Sequence, residues 1–345
     1  MTIGTKMQRR PNTAFAATVS IAALALAILL SSGIGAVRVP LGEVLRVLLH
    51  PTASGDTAVI LFRLRLPRVL AAALAGAGLS ATGVLFQGLF RNPLADPFVL
   101  GASGGAALGG ALAVFLFPTL SFAGIGAAGV FAFAGALLTM VLVWNLARHS
   151  SRFAIENMLL AGFAVGTMLN AATSAFELKQ EQTNPGARIL SAWLYGQIGV
   201  APWLQIVIIA LVMTAAIVLA MPLARRLNTL ALGEDYAAQL GVAVNRTRVE
   251  ILIIGSLLTA LAVSLGGLIG FVGLLVPHFL RLIVGPDHFR LLPLAAIGGA
   301  AFLVIADTVA RTLMSPAELP VGILTAFIGG PAFLYLLNRR REVAS

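Results

Sequence analysis

Arg65-Leu66-Pro67-Arg68, then Gly83-Val84-Leu85-Phe86-Gln87, then Arg91-Asn92-Pro93-Leu94-Ala95-Asp96-Pro97 decide how this chain is read. Two charged, proline-bearing marks enclose Val69 to Phe90, about 22 residues with almost no charge. At 1.5 Å per residue that is one membrane crossing. Gly76, Gly78 and Gly83 stud it, as in a helix packed closely on other helices in lipid. The first mark is basic and sits at one face; the second is a rigid polar elbow at the other. Specialised ends on one crossing point to a protein that works at both faces, as a transporter does.

Of the 345 residues, 59% are hydrophobic and 10% charged. Soluble domains carry roughly a quarter charged residues, so lipid must cover the apolar excess. The expected class is all-α and polytopic, one membrane domain over 1–345. The ten-residue alternating strands of a membrane barrel are missing from the pattern. The net charge of +10 reads as topology signal rather than nucleic-acid binding, because the cations cluster at the ends of apolar segments. With no cysteine, disulfides and thiolate metal sites are excluded.

Apolar segments fall at about 13–37, 69–90, 98–117, 122–147, 157–176, 202–224, 249–269, 271–285, 291–313 and 318–338. The first follows Lys6, Arg9 and Arg10 and reads as a retained helix, with a cleaved signal peptide as the alternative. The seventh and eighth are nearly fused around Gly266, Gly267 and Gly270. One kinked element with a re-entrant piece is the competing count. Basic residues at both termini, Arg339 to Arg341 at the end, require an even number of crossings if both lie inside. Ten crossings put 15 of the 23 Lys+Arg inside. Eight fall outside: Arg38, Arg46, Arg63, Arg65, Arg68, Lys179, Arg188 and Arg311. The outer cluster from Arg63 to Arg68 runs against the trend and needs its own reason.

The elbow Asn92 to Pro97 cannot continue a helix, since each proline lacks an N–H and restricts its predecessor. Asp96 suits an N-cap with Pro97 at the first position. It is either a structural turn or a fixed constriction at the inner mouth. In the inner connection 225–248, Leu232-Gly233-Glu234-Asp235-Tyr236-Ala237-Ala238-Gln239-Leu240-Gly241 reads as a short amphipathic helix outside the membrane. Its acids sit in the first turn and Gly241 just past the end. Leu232, Tyr236 and Leu240 form one apolar stripe. The lack of cations on this helix favours a protein partner over anionic lipid.

Ser315-Pro316-Ala317-Glu318 reads as a capping box. Asp307 and Arg311 read as an i,i+4 pair. His278 is the histidine within an apolar segment and is read as structural; His50, His149 and His288 lie scattered in loops without metal-ligand spacing. No phosphate-binding P-loop and no nucleophile–base constellation occurs, so the chain itself is expected to be no enzyme and to bind no cofactor.

Taken together, Arg65 to Arg68, Gly83 to Gly101, Leu232 to Val242, Gly267 to Arg281 and Ala306 to Pro331 resemble the FecCD family of ABC importer permeases. This family includes the vitamin B12, haem and ferric-siderophore permeases. The resemblance covers about 40 to 338. It implies ten helices per subunit, a homodimer around a central pathway, and a bacterial inner (plasma) membrane location with both termini cytoplasmic. It implies two ATPase subunits inside, which carry ATP and Mg, and a substrate-binding protein outside. By the resemblance, Gly233, Glu234, Asp235, Tyr236, Leu240 and Gly241 belong to the coupling helix that docks on the ATPase. Arg65, Arg68 and Arg311 match outer arginines that meet the binding protein, and Asn92 and Leu94 match an inner gate. The second gate falls on Glu156 and Asn157, where the family carries small polar residues. The cargo it implies is an iron complex first, ferric siderophore or haem, then cobalamin. The competing class is a self-contained secondary transporter, which should show paired intramembrane acids; Asp307 and His278 are the candidates, and neither lies in an evident pair.

Overall fold

Long runs of Ala, Leu, Val and Ile with few breakers dictate helix nearly everywhere, because a backbone in lipid must satisfy its own hydrogen bonds. The computed structural model describes residues 13–35, 37–50, 55–117, 120–122, 125–148, 155–181, 187–315 and 317–344. The helices are α1 (Thr13–Gly33), α2 (Leu41–Leu49), α3 (Asp56–Val59), α4 (Leu66–Leu89), α5 (Ala102–Leu116), α6 (Ala127–Arg148) and α7 (Ile155–Glu181). After them come α8 (Ala187–Leu194), α9 (Trp203–Leu230), α10 (Glu234–Gln239), α11 (Val244–Gly266), α12 (Val272–Val284), α13 (His288–Leu313) and α14 (Val321–Ala344). Among the described residues, seven helical runs are long and apolar enough to span a membrane, and three shorter apolar helices accompany them. Each of the ten apolar segments therefore carries a helix. A two-residue antiparallel pair, Ser121–Phe122 with Ile125–Gly126, precedes α6.

The sequence expectation for the first mark is corrected. Pro67 does not open the crossing. A π turn over Ile60–Arg65 joins α3 to α4, and one helical run extends from Asp56 to Leu89. Proline has no N–H to give the carbonyl four residues back, and the wider π turn just before it absorbs that defect.

α4 is the central helix: 83% of its most apolar window is buried, against 6% for α1 at the periphery. Around it stand α9, α11, α12 and α13. Small residues set the spacing. Gly76 lies against the Gly299 backbone of α13, and Gly83 against the Gly273 carbonyl of α12, so that a side chain at either would strike main chain.

α12 is short. Thirteen residues span about 20 Å, less than a hydrocarbon core of about 30 Å. Its first turn lies alongside Leu79 and Gly83, well inside α4. The non-helical link Gly267 to Phe271 is buried against the Trp193 carbonyl, Gly196 and α14, where irregular backbone is sheltered from lipid. The eighth segment is thus a discontinuous helix.

Alternation fixes two ends of the bundle. Thr13 hydrogen bonds to Arg290, and Leu230 to Arg91, at one end. Ser31 meets Arg311, and Phe62 meets Trp203, at the other. Call these the elbow end and the arginine end.

Candidate functional site

The elbow follows from how α4 stops. Phe90 closes the helix, and Arg91 takes a left-handed conformation, φ 48°. The Arg91 N–H donates to the Gly88 carbonyl and the Asn92 N–H to the Gln87 carbonyl, 3.3 and 3.1 Å. This is the double bond pattern of a Schellman cap, with arginine where glycine is usual. The Asn92 side chain then accepts from the Leu94 N–H at 3.0 Å, an Asx turn. Asp96 accepts from the Phe98 N–H at 2.9 Å and caps the 3-10 turn Pro97–Leu100, as its position ahead of Pro97 predicts.

Asp96 does more than cap its own turn. Its carboxylate also faces the N–H of Phe271, the residue just before α12. Phe271 itself sits at φ 67°, a conformation that costs an aromatic residue and marks an over-determined position. One carboxyl therefore faces two helix starts. Burial pushes Asp96 up to about 6, against the opposing pull of the Phe98 and Phe271 N–H groups.

Gln87 locks the same region from α4. Pro277 leaves the Gly273 carbonyl without its helical donor. The buried Gln87 Nε2 donates to that carbonyl and to the Leu274 carbonyl, 3.2 and 3.3 Å. Arg281 Nη2 holds the other face of the amide at 3.0 Å. Pro97 packs on Gly273. Elbow, α4 and α12 thus share one junction. The missed signal was an interior proline whose freed carbonyl asks for a donor.

Glu156 and Asn157 lie in the first turn of α7. Further along, Gly162 and Gly166 pack on Gly101 just past the elbow, so this stretch and the elbow lie at the same end. Asn157 is half-buried.

Below the elbow runs α10, two turns at most. Ala237 is buried and pins it. Gly233 and Gly241 flank it at φ 127° and 82°, and the Gly241 and Val242 N–H groups close its end on Ala238 and Ala237. Leu232, Tyr236 and Leu240 stay 67%, 52% and 58% exposed. Asp235 is exposed too. Glu234, also exposed, is bonded to Arg248 and lies 3.9 Å from Arg91. Further ion pairs, Glu250 with Arg226 and Arg246 at 2.7 and 2.8 Å, brace the start of α11.

At the arginine end the three candidate cations are engaged by their own chain. Arg65 is buried and donates to the Ser32 carbonyl at 2.7 Å and to the Val37 carbonyl. Arg311, also buried, donates to the Ser31 carbonyl and hydroxyl at 2.6 and 2.7 Å. Arg68 grips Asp307 with two nitrogens, 3.0 and 3.2 Å, and Glu318 with a third at 2.7 Å. Two sequence readings are revised here. Asp307 pairs first with Arg68, while its i,i+4 contact to Arg311 is 4.0 Å. The capping box does not form: α14 begins at Val321, and Glu318 serves Arg68 instead; Pro316 lies outside the described residues. Arg68 and Glu318 rim an open cleft of about 640 Å³, further lined by Trp193, Gln197, Gln205 and Ser264.

One histidine departs from the scattered-loop reading, while His50 stays in a connection and His149 lies outside the described residues. His288 is the buried first residue of α13 and hydrogen bonds to Asn228 at 2.8 Å. His278 is half-buried, its ring edge-on to Phe279. No group of three metal-ligating side chains occurs among the described residues.

A helical bundle with a discontinuous helix, a proline elbow at one end and an exposed apolar stripe on a short helix beside it defines a polytopic membrane transport subunit. The chain belongs to the FecCD transport family, whose model matches residues 23–339. It is 41% identical to the hemin transport system permease protein of Yersinia pestis, over 83% of this chain and 85% of that one. It is 46% identical to the cobalamin import system permease protein of Halobacterium salinarum, over 83% and 74%. Among solved structures it resembles one described as an inward-facing ABC transporter of the metal-chelate type. The TM-score is 0.79 at 31% identity, covering 95% of this chain and 99% of that one.

Proposed function

We propose that the chain is the membrane permease of an ATP-binding-cassette importer that brings an iron complex, a ferric siderophore or haem, into the cytoplasm. A cobalamin or other metal-chelate cargo is the second reading, favoured by the cobalamin relative. The observation that carries the importer reading is α10. Six residues cannot hold a helix alone in water, and nothing among the described residues covers its leucine and tyrosine stripe. A structure that maintains such a stripe outside lipid presents it to a partner. That partner is a separate ATPase, two copies of which bind ATP and Mg; the permease itself holds no cofactor and catalyses no hydrolysis. Two copies of the chain enclose the pathway, with the elbow residues Asn92 and Leu94 and the α7 start Glu156 and Asn157 forming the inner gate.

A substrate-binding protein docks on the arginine end. Arg65 and Arg311 are shielded, so they act chiefly through the positive field of the cluster. Arg68, on the rim of the open cleft, is the member closest to direct contact. A secondary transporter is disfavoured because Asp307 is neutralised by Arg68 rather than left to bind a coupling ion.

Leu240→Asp tests the reading. A charge in the centre of the stripe should detach the ATPase, while the membrane domain still folds and dimerises. Co-purification of the ATPase and uptake into proteoliposomes report it. Normal ATPase retention with normal uptake would remove the importer assignment. Uptake with ferric siderophore, haem and cobalamin then ranks the cargoes.

A further inference from the structure

We propose that Arg91 is the positioning residue that ties the coupling helix to the elbow, so that movement of α10 is delivered to Asn92 to Pro97. This deepens the importer reading and rests on it.

Three observations on one side chain carry the inference. First, Arg91 is one of two non-glycine residues at positive φ among those described, the other being Phe271. It occupies the cap position where glycine would cost nothing. A half-exposed cation in a left-handed cap, held where the backbone alone does not want it, is stored strain with a purpose to find. Second, its guanidinium, though half-exposed, is engaged by the chain. Arg91 Nη2 donates to the Leu230 carbonyl at 2.7 Å, which is the last carbonyl of α9. The same nitrogen lies 3.9 Å from Glu234, the first residue of α10. α9 and α10 are joined only by Ala231, Leu232 and Gly233, so the guanidinium straddles the corner on which the coupling helix turns. Third, the backbone of Arg91 is the first link of the elbow. Its N–H and that of Asn92 close α4, and five residues on, Asp96 and Pro97 reach α12 through Phe271 and Gly273.

α10 carries Glu234; the α9 terminus holds the Arg91 head beside Glu234, within ion-pair range; the Arg91 backbone fixes the exit angle of the elbow. A glycine at this site would cap α4 without strain and leave the corner without its clamp. Arg248 already anchors Glu234 from α11, so loss of Arg91 leaves α10 attached. The two arginines divide the work: Arg248 seats α10, and Arg91 transmits its displacement. A planar fork suits this double task better than a lysine.

The test uses the whole transporter with its ATPase. Arg91→Gly should fold at least as well as the parent, because the cap strain is relieved. It should keep the ATPase bound, in contrast to Leu240→Asp. Transport per ATP hydrolysed should fall by about tenfold, within the usual range of coupling between sites. Arg91→Lys should recover part of that ratio. Since the chain has no cysteine, a single spin label can be placed at Gln239 on α10 or at Leu94 in the elbow. In the parent, nucleotide should change both spectra; in Arg91→Gly it should change only the one at Gln239. Two results would overturn the proposal: a parent-like response at Leu94 with a parent-like transport ratio, or loss of the ATPase from Arg91→Gly, which would make the residue a seat for α10 only. A parent chain that retains no ATPase would instead refute the importer reading itself, before any variant is compared.

Discussion

The charges that sequence inspection marks out as exposed contacts turn out to be held by the chain. Arg65 and Arg311 each satisfy carbonyls at the end of α1, and Arg68 spends all three nitrogens on two carboxylates. Local patterns suggested other pairs: Arg311 for Asp307, the helix start for Glu318. Both lost to Arg68, because a bidentate, shielded contact outweighs an i,i+4 pair or a cap bond in water. No sequence spacing reveals a partner about 240 residues away. Asp96 shows the same lesson at the other end. Its capping role was legible from Pro97; the Phe271 N–H it also faces was not. Its acidity yields a prediction with a definite sign. Burial raises the carboxyl above its ordinary 3.8 to about 6, so the native state binds this proton more readily than the unfolded chain. The contribution to stability is complete below about pH 4 and is lost as pH rises through about 6. Asp96→Asn is neutral throughout and keeps an oxygen for the Phe98 N–H. Its Tm in detergent should therefore vary less with pH between about 4 and 6 than that of the parent. Identical slopes would show that Asp96 does not titrate there.

Among the elements, helices were readable wherever apolar length and glycine spacing agreed, even with Pro222, Pro293 and Pro331 inside α9, α13 and α14; the start of α4 was the misreading. α10 is the clear success of local reasoning: acids at the start, glycine at the end, a four-residue apolar repeat. Pro67 was taken for a boundary, yet a π turn carries the helix through it. Pro277 likewise stays helical, since Gln87 answers the carbonyl it frees. A donor supplied from another helix is invisible to any local rule. Glycine spacing leads to a sharper expectation. Gly83 faces the Gly273 carbonyl with no room for a methyl group, whereas Gly42 on α2 has nothing within 4 Å of its missing Cβ. Gly83→Ala should force α4 and α12 apart at the Gln87 and Pro97 junction and cost about 1–3 kcal/mol, the usual penalty of overpacking. Gly42→Ala should be neutral or slightly favourable, as in any exposed helix. Thermal unfolding in one detergent compares them directly. Equal stability of the two variants would mean that α12 can slide on α4, contrary to a discontinuous helix locked in place.

Across the whole molecule, the order of helices was legible and their sidedness only in relative terms. The contacts divide the ends consistently: Arg290 with Thr13 and Arg91 with Leu230 at the elbow end, Arg311 with Ser31 and Arg68 with Asp307 at the other. Geometry alone does not say which end meets the cytoplasm. The charge count does, because cations resist translocation and 15 of the 23 are assigned to the elbow side. The eight at the other end include Arg65, Arg68 and Arg311, whose presence there is explained by the buried network rather than by topology. Removing those three from the tally strengthens the asymmetry, so the elbow end with α10 should face the cytoplasm, where an ATPase could reach it. Reporter fusions decide the matter. A fusion after Ser345 should report cytoplasm, and one inserted near Asn184, between α7 and α8, should report the exterior. If the two signals are reversed, α10 faces away from ATP, and the coupling role of its stripe and of Arg91 falls with the orientation.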